Sequence, residues 1–222
     1  MDALLRDVAG ATGNLHLAGT ADAGFLETLM PVADKWERRY QQANLPVDAC
    51  ALLQQQQARL PTSGRALDLA CGLGGNAVLL ARHGLAVDAV DKAATAIRKL
   101  SEYAAQQQLP INALCIDLEC TTSRWLLEQH SRYDVIVVSY YLHRPILPLI
   151  EAALAPGGLL FYQTFNSLRA SPSGPQNPDF LLTENELADR FSSLSTRLHR
   201  QDINAEETTK PLQTQYIGQR DA

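Results

Sequence analysis

The most constraining feature of this sequence is a regular alternation of short apolar runs with amphipathic segments between residues 65 and 165. Strands that alternate with helices form βαβ units, in which helices cover both faces of a parallel sheet. Burial on both faces explains why residues 135–138 are continuously apolar rather than alternating with polar residues. The predicted strands of this region are 66–70, 86–90, 111–116, 133–139 and 159–165, and the predicted helices between them are 76–83, 93–108, 125–130 and 145–154.

The two ends of the chain depart from this pattern. Helical segments at 25–39 and 48–60, the second with Asp48 as the expected N-cap, predict an N-terminal helical cap over residues 1–60. Residues 61–222 are then the binding domain of the same structural unit. After a loop at 166–179, the sequence predicts a helix at 183–191 and a hairpin of two strands at 196–203 and 212–218.

Together these segments predict an α/β fold with a Rossmann-like, doubly wound sheet of seven strands. The sheet is expected to be mostly parallel, with an antiparallel strand at its C-terminal edge.

Composition and charge exclude several classes of function. The chain has 222 residues and a formal net charge of −5, and we find no basic stripe of the kind that binds nucleic acid. No uncharged apolar run approaches the roughly 18 residues of a membrane span, and the first residues do not resemble a signal peptide. The four cysteines form no CxxC motif and no metal-ligand cluster. We therefore expect a cytoplasmic globular protein, a monomer or homodimer, with no metal, membrane or nucleic-acid partner.

Polar residues and a glycine-rich loop follow the predicted strands. Ligands of open parallel sheets bind beyond the carboxyl ends of the strands, so Asp68, Asp91, Asp117 and Ser139 are expected to face one ligand. The loop at 72–77 also fits the dinucleotide pattern GxGxxA, which keeps an NAD-dependent oxidoreductase open. A side chain at the second glycine of this loop is expected to block the cofactor, because the ligand should touch backbone there.

Asp68 is the residue that favours a cationic ligand over a dinucleotide. A carboxylate four residues before Gly72 would oppose a pyrophosphate on the loop, whereas it suits a ligand that presents a cation. S-adenosylmethionine carries an ammonium and a sulfonium, has a ribose and lacks phosphate. In the alternative interpretation, Asp68 caps the amides of the loop itself.

The segment from Leu67 to Asn76, LDLACGLGGN, resembles motif I of the class I methyltransferases that use S-adenosylmethionine. Asp91 resembles the residue of that family that holds the ribose hydroxyls, the pair at 117–118 resembles the one that faces adenine, and 133–139 resembles the fourth strand. Residues 35–40 are similar to a helix that precedes motif I and covers the cofactor. The cofactor-binding residues that the resemblance implies are Trp36, Arg39, Tyr40, Asp68, Ala70, Gly72, Gly74, Asn76, Asp91, Lys92, Asp117, Leu118 and Ser139.

Within that class, the chain is similar to the tellurite-resistance branch. The similarity lies in Asn76, in residues 117–119, in the Phe-Leu-Leu segment at 180–182 and in the Glu-Leu pair at 186–187. Asn185 stands where that branch commonly has a glycine.

The residues after the fourth predicted strand should border the methyl group that is transferred. His143 is the candidate general base, Tyr141 is expected to line the pocket, and Arg144 is expected to bind an anionic substrate. Arg169 is a second candidate for anion binding, on the 166–179 loop, which could close over the cleft as a lid. In the alternative interpretation, His143 makes a structural hydrogen bond in its loop, and Arg144 and Arg169 are solvated surface residues.

The sequence thus predicts an enzyme that transfers a methyl group from S-adenosylmethionine to a small-molecule acceptor, with a thiol or a chalcogen oxyanion as candidates. An acceptor that is already anionic needs no base, whereas a phenol or an amine does. Three alternatives stay open: a non-catalytic S-adenosylmethionine-binding protein, an NAD-dependent oxidoreductase and an RNA methyltransferase, the last disfavoured by the acidic charge.

Overall fold

A computed structural model of the chain describes residues 32–120, 132–169, 171, 173–207 and 209–222. Within these residues, seven strands form a single mixed sheet in the order β3-β2-β1-β4-β5-β7-β6. The strands are β1 Arg65–Leu69, β2 Ala86–Asp91, β3 Ile111–Cys115, β4 Tyr133–Ser139, β5 Leu154–Phe165, β6 Ser195–Ile203 and β7 Gln213–Gln219.

The strand directions confirm the predicted fold class. Strands β1 to β5 are parallel to one another. Strand β7 is antiparallel both to β5 and to β6. The last strand of the sequence therefore lies one position in from the edge, and β6 forms the edge itself.

The helices of the described residues agree with the predicted positions but differ in their bounds. The predicted helix at 145–154 is divided into a 3-10 turn at Arg144–Ile146 and an α-helix, while β5 begins earlier than expected. The predicted helix at 125–130 and the part of 25–39 before residue 32 lie outside the described residues. The α-helices are α1 Val32–Gln42, α2 Ala51–Gln55, α3 Gly75–Arg82, α4 Ala94–Gln107, α5 Leu147–Ala153 and α6 Glu186–Arg190, with further 3-10 turns at Gln57–Arg59 and Pro178–Phe180.

The prediction of one helix over 48–60 is wrong in its extent. Helix α2 begins after Cys50 rather than Asp48, because the Cys50 N–H donates to Asn76 Oδ1 at 2.9 Å. The Leu52 N–H donates to Gln163 Oε1 at 2.8 Å, so two amides of the first turn are held by side chains of the sheet domain. These long-range bonds fix where the helix starts, and the local sequence does not contain that information.

Two apolar layers enclose the sheet, as the continuous apolar strand predicts. On β4, Ile136 and Val138 belong to one core cluster, and Val135 and Val137 belong to the other. The first cluster includes residues of α5 and α6, and the second includes residues of α2, α3 and α4. Alternate residues of a strand point to opposite faces, so a strand that is buried on both faces needs every position apolar.

The chain leaves β1 and β4 through residues with left-handed backbone. The φ angle is +53° at Ala70 and +56° at Tyr140. Left-handed conformations are costly for residues other than glycine and concentrate at functional sites. Strands β1 and β4 are neighbours, so both turns open on the same edge of the sheet.

Candidate active site

Three amides of the glycine-rich loop and of the first turn of α3 are bonded within the protein. The Gly72 N–H donates to Asp91 Oδ2 at 2.8 Å, and the Ala77 N–H donates to Asp68 Oδ2 at 3.0 Å. The Gly74 N–H donates to the Cys71 carbonyl at 2.8 Å. Amides of this kind bind pyrophosphate in dinucleotide folds. Here two carboxylates occupy them, so the loop is a poor site for a diphosphate.

Asp68 is turned into the protein rather than toward a ligand. Its side chain is fully buried, and its Oδ1 accepts from Asn76 Nδ2 at 3.3 Å. The structure shows the cap on the loop's amides, which is compatible with a contact to the cation of a ligand, and that contact stays a prediction. The side chain nevertheless competes with a pyrophosphate, because it already accepts from the Ala77 N–H at the helix N-terminus that the phosphate would use.

Burial of Asp68 should make the stability of the protein depend on pH. Burial raises its pKa from 3.8 to about 7, so the folded protein holds a proton that the unfolded chain has released. This contribution to stability is present below about pH 4 and is lost as the pH rises through 7. At about 1.4 kcal/mol per pKa unit, the full change is on the order of 4 kcal/mol.

Urea unfolding of the wild type and of Asp68→Asn at pH 5 and pH 8 measures this effect. The free energy of unfolding should fall more steeply with pH in the wild type than in the variant. Equal pH dependence in the two proteins would contradict the assignment.

Asp91 at the end of β2 fits a ligand that brings hydroxyl donors. Its Oδ1 accepts from the Ala93 N–H at 2.8 Å, while Oδ2 accepts from Gly72. A carboxylate has about four acceptor positions, so each oxygen retains room for one more donor. Burial raises the pKa of Asp91, because the charge is incompletely compensated. The two hydroxyls of a ribose would supply that compensation.

Asn76 connects three parts of the site. Its Nδ2 donates to Ser139 Oγ at 2.9 Å as well as to Asp68, and its Oδ1 accepts from Cys50. The side chain therefore joins the ends of β1 and β4 to the start of α2. The bond from Asn76 places Ser139 beside the glycine loop. This agrees with the prediction that the C-terminal ends of β1 and β4 lie at one edge of the sheet.

Helix α1 places Tyr40 over the glycine loop. A Cβ atom built on Gly72, where φ is +53°, would lie 2.8 Å from the Tyr40 hydroxyl oxygen. The helix is held on α4, since Glu37 Oε1 accepts from the Thr95 N–H at 3.0 Å. Lys99 Nζ donates to the carbonyls of Tyr40 at 2.8 Å and Ala43 at 2.7 Å, which closes the end of α1.

Trp36 and Arg39 extend outward from Tyr40 as one stack. The Trp36 and Tyr40 ring centroids are 5.8 Å apart, and the Arg39 guanidinium lies 5.3 Å from the Trp36 ring centroid. Trp36 is 37% exposed, so an apolar surface stands open next to the loop. Of the three residues, Tyr40 is the one that the structure places against Gly72.

Gly74 is required for a different reason from the one expected. A Cβ built there would lie 2.5 Å from both methyl carbons of Leu100 on α4, and φ is +78°. The glycine therefore allows α4 to pack against the loop, and the position faces the core rather than a ligand.

The residues expected at adenine are divided between surface and core. Asp117 is exposed, and its Oδ1 accepts from the Glu119 N–H at 2.9 Å. Leu118 is 4% exposed and belongs to the core cluster of β1 and β4. A contact with the adenine ring would need an accessible side chain, and that of Leu118 is packed in the core. Lys92 Nζ lies 3.7 Å from Glu119 Oε1 at the same edge.

Sequence reasoning missed the pair formed by Tyr140 and Gln163. Gln163 Nε2 donates to the Tyr140 hydroxyl at 3.0 Å, and the Tyr140 ring lies tilted against Phe165. Gln163 is 1% exposed and pairs in register with Ser139. A glutamine within the otherwise apolar run of β5 was the available signal.

His143 and Tyr141 follow β4 as predicted. His143 is half-buried and directly precedes the 3-10 turn that begins at Arg144. The Tyr141 carbonyl accepts from the Tyr162 hydroxyl at 2.9 Å, which fixes the backbone between them.

The Arg144 guanidinium is already engaged within the protein, so the structure gives its predicted anion-binding role no support. Its Nε and Nη2 donate to the two carboxylate oxygens of Glu186 at 2.7 and 3.0 Å. Nη1 donates to the Asp179 carbonyl, and Nη2 also donates to the Leu181 carbonyl, both at 2.9 Å. This bidentate pair holds the segment at 179–186 against the loop after β4.

The predicted anion-binding role of Arg169 likewise finds no support in its contacts. Its Nη atoms donate to four backbone carbonyls, at distances between 2.8 and 3.1 Å. The four carbonyls belong to the connection between β6 and β7, at Asn204, Ala205, Glu207 and Lys210. Arg169 therefore fastens that connection and is not displayed to a substrate.

Arg144 lines two cavities, and its partner Glu186 lines one of them. One, of about 350 Å³, is formed by the loops after β3 and β4 and by the end of the predicted lid, and we call it the acceptor cavity. The other, of about 380 Å³, is lined by Arg144, Thr183, Glu186, Asp189 and Arg190. The acceptor cavity is lined by Glu119, Leu142, His143, Arg144, Pro145, Asn177, Asp179 and Phe180.

The described residues contain neither a metal-binding group nor a membrane-spanning helix. In the part of the chain that the structure describes, no three His, Cys, Asp or Glu side chains are grouped so that they could hold a metal ion. No helix among these residues is both long and apolar enough to span a membrane.

Comparison with protein families gives a direct result. The family described as a methyltransferase domain matches residues 38–206. The chain belongs to this family. The assignment confirms the resemblance that motif I indicates, and membership of the family implies S-adenosylmethionine as the cofactor.

Two curated relatives of this methyltransferase-domain protein match it over less than half of its length. A ubiquinone biosynthesis O-methyltransferase of Coxiella burnetii is 36% identical over 105 residues, which are 45% of this chain and 43% of that protein. One from Parvibaculum lavamentivorans is 36% identical over 107 residues, 46% of this chain and 40% of the relative. The chain thus matches less than half the length of these curated relatives.

Among solved structures, TehB from Haemophilus influenzae has a TM-score of 0.62 at 18% identity, covering 85% of this chain and 67% of that one. A sarcosine dimethylglycine methyltransferase structure from Galdieria sulphuraria, described as putative, has a TM-score of 0.61 at 14% identity, with coverage of 85% and 98%. At these identities, the likeness establishes the fold.

Proposed function

We propose that this protein transfers a methyl group from S-adenosylmethionine to a small-molecule acceptor. The observation that supports it best is the occupation of the glycine-loop amides by Asp68 and Asp91. A loop with this bonding disfavours the pyrophosphate of NAD and leaves room for a nucleoside that has none. A cytoplasmic location, a monomeric or dimeric state and the lack of a nucleic-acid partner remain predictions.

The cofactor would be held by the polar residues at this edge of the sheet. Asp91 would accept the ribose hydroxyls, Asp117 would accept from the adenine amine, and Tyr40 would cover the loop at Gly72. When bound, S-adenosylmethionine supplies an electrophilic methyl carbon on a sulfonium leaving group. For such chemistry the protein's main tasks are alignment of the acceptor and exclusion of water.

The residues of the acceptor cavity would carry out those tasks. Leu142 and Phe180 offer apolar surface from which water is readily displaced. His143 lines the same cavity and would take the proton of an acceptor hydroxyl or thiol as the new bond to carbon forms. Tyr141 would support this loop through its backbone bond to Tyr162.

Relatives suggest two chemical types of acceptor. The curated relatives are O-methyltransferases of ubiquinone biosynthesis, which transfer a methyl group to an oxygen nucleophile. The resemblance of the sequence to the tellurite-resistance branch favours a thiol or a chalcogen oxyanion. A phenol or a thiol needs the base that His143 would supply, whereas a chalcogen oxyanion does not.

His143→Gln should lower kcat for a phenolic acceptor by about a hundredfold or more at pH 7, because a general base contributes roughly 10²–10⁴. The deficit should shrink as the pH rises and the acceptor ionises in solution. Asn177→Ser is the control at another lining position: it has no acid–base chemistry, keeps an acceptor for the Asp179 N–H that Asn177 caps, and should cost less than about tenfold. A deficit of His143→Gln that is constant across pH would argue for a structural role.

Methyl-labelled S-adenosylmethionine tests the proposed function directly. The protein should transfer label to at least one member of a panel of phenols, thiols and chalcogen oxyanions. It should also release S-adenosylhomocysteine in equal amount. Tight cofactor binding without transfer to any of them would favour the non-catalytic alternative.

A further inference from the structure

We infer that the acceptor cavity selects acceptors without negative charge that place an aromatic ring against Phe180. This inference rests on the proposed function and specifies its substrate class. It disfavours the chalcogen oxyanions and carboxylate-bearing acceptors that the sequence leaves open.

The position of the cavity fits an acceptor site. Glu119 follows β3, Leu142 and His143 follow β4, and these strand ends lie on the same edge of the sheet as the glycine loop. A volume of about 350 Å³ is at the lower end of the range for small-molecule sites, roughly 300–1,000 Å³. A single substituted ring is of suitable size for it.

The charges around the cavity are the first argument. Glu119 and Asp179 contribute two carboxylates, and Arg144 is the cation among the described lining residues. The Arg144 guanidinium directs four hydrogen bonds to Glu186 and to two backbone carbonyls. Its charge is therefore balanced by a carboxylate outside this cavity, and four of its five N–H donors already have partners within the protein.

Lys92 does not reverse this balance. Its Nζ lies 3.7 Å from Glu119 Oε1, and both side chains are substantially exposed, at 34% and 48%. Exposed pairs of this kind are weak. An anion in the cavity would therefore meet Asp179 and a partly compensated Glu119, which is unfavourable because like charges repel.

The apolar wall is the second argument. Phe180 is 42% exposed although it is a large hydrophobic residue, and its ring lines the cavity together with Leu142 and Pro145. The 3-10 turn at Pro178–Phe180 carries it, and the Arg144 bonds to the Asp179 and Leu181 carbonyls fix that turn. An aromatic ring is thus held in place at the rim, where a flat acceptor can stack on it.

Calorimetric binding of two matched probes tests the inference, in the presence of saturating S-adenosylhomocysteine. The probes are 4-methylcatechol, which is uncharged at pH 7, and 3,4-dihydroxybenzoate, which carries a carboxylate. We expect the neutral probe to bind at least about tenfold more tightly, a difference of about 1.4 kcal/mol. Selenite and tellurite should bind more weakly still.

Variants separate the two arguments. Glu119→Gln combined with Asp179→Asn should reduce the preference for the neutral probe at least threefold, while Asp189→Asn in the neighbouring cavity should leave it unchanged. Phe180→Ala should weaken binding of 4-methylcatechol severalfold. Equal or tighter binding of the anionic probe, no binding of either probe, or a preference that the double variant does not alter would overturn the inference.

The proposed function fails in a different way. Selective binding of the neutral probe without any methyl transfer would leave the inferred selectivity standing and contradict the enzymatic proposal. Methyl transfer to selenite, tellurite or 3,4-dihydroxybenzoate at a kcat/KM equal to that for 4-methylcatechol would support the enzymatic proposal and contradict the inferred selectivity.

Discussion

Asp91→Ala should lower the affinity for S-adenosylmethionine by about a hundredfold or more, or about 2.7 kcal/mol. The substitution removes the acceptor of the Gly72 and Ala93 N–H groups together with the positions that would receive the ribose hydroxyls. A buried donor that loses its partner costs about 1–3 kcal/mol, so the loop itself should lose its conformation. Isothermal titration calorimetry measures the change.

Asp88→Asn is the matched control for this experiment. Asp88 is a second buried carboxylate of β2, but its partners are Arg65, Asn112 and Tyr133, away from the glycine loop. The control should lose stability and keep its affinity for S-adenosylmethionine. If Asp91→Ala binds the cofactor as the wild type does, Asp91 has no part in the cofactor site.

Gly74→Ala should lower the free energy of unfolding by roughly 2–5 kcal/mol. The added Cβ would meet both methyl carbons of Leu100 at 2.5 Å, and φ of +78° adds the cost of a left-handed residue, roughly 1–2 kcal/mol. Gly157→Ala provides the comparison, since φ there is +75° and a Cβ would meet nothing within 4 Å. That variant should lose only the backbone cost.

Urea unfolding of the two glycine variants separates packing from ligand contact. The structure predicts a larger loss of stability for Gly74→Ala than for Gly157→Ala. A Gly74→Ala protein that is as stable as Gly157→Ala but no longer binds S-adenosylmethionine would support the ligand-facing role that the sequence suggested.

The fold could be predicted from the sequence because two-sided burial leaves a plain signature. The unbroken apolar run of β4 requires apolar layers on both faces, and its alternate residues do belong to two different clusters. The edge of the sheet that carries the site follows from the same pattern, since parallel strands end together. The positions of Asp91 and Ser139 were therefore within reach of sequence reasoning.

The partners of individual side chains were not within reach. Asp68 and Arg144 both lie near the predicted edge, yet each bonds within the protein, to Ala77 and to Glu186, because buried polar groups such as the Asp68 and Glu186 carboxyls need hydrogen-bond partners. Nothing in the local sequence states that Arg144 meets a residue 42 positions later. The bond from Gln163 to Tyr140 is hidden for the same reason.

The central claim concerns which nucleoside the glycine loop accepts, and calorimetric titration of the wild-type protein with S-adenosylmethionine and, separately, with NAD tests it most directly. Internal carboxylates on the Gly72 and Ala77 amides predict binding of S-adenosylmethionine in the micromolar range or tighter, roughly −8 kcal/mol, and no detectable heat with NAD. Tighter binding of NAD than of S-adenosylmethionine would contradict the account.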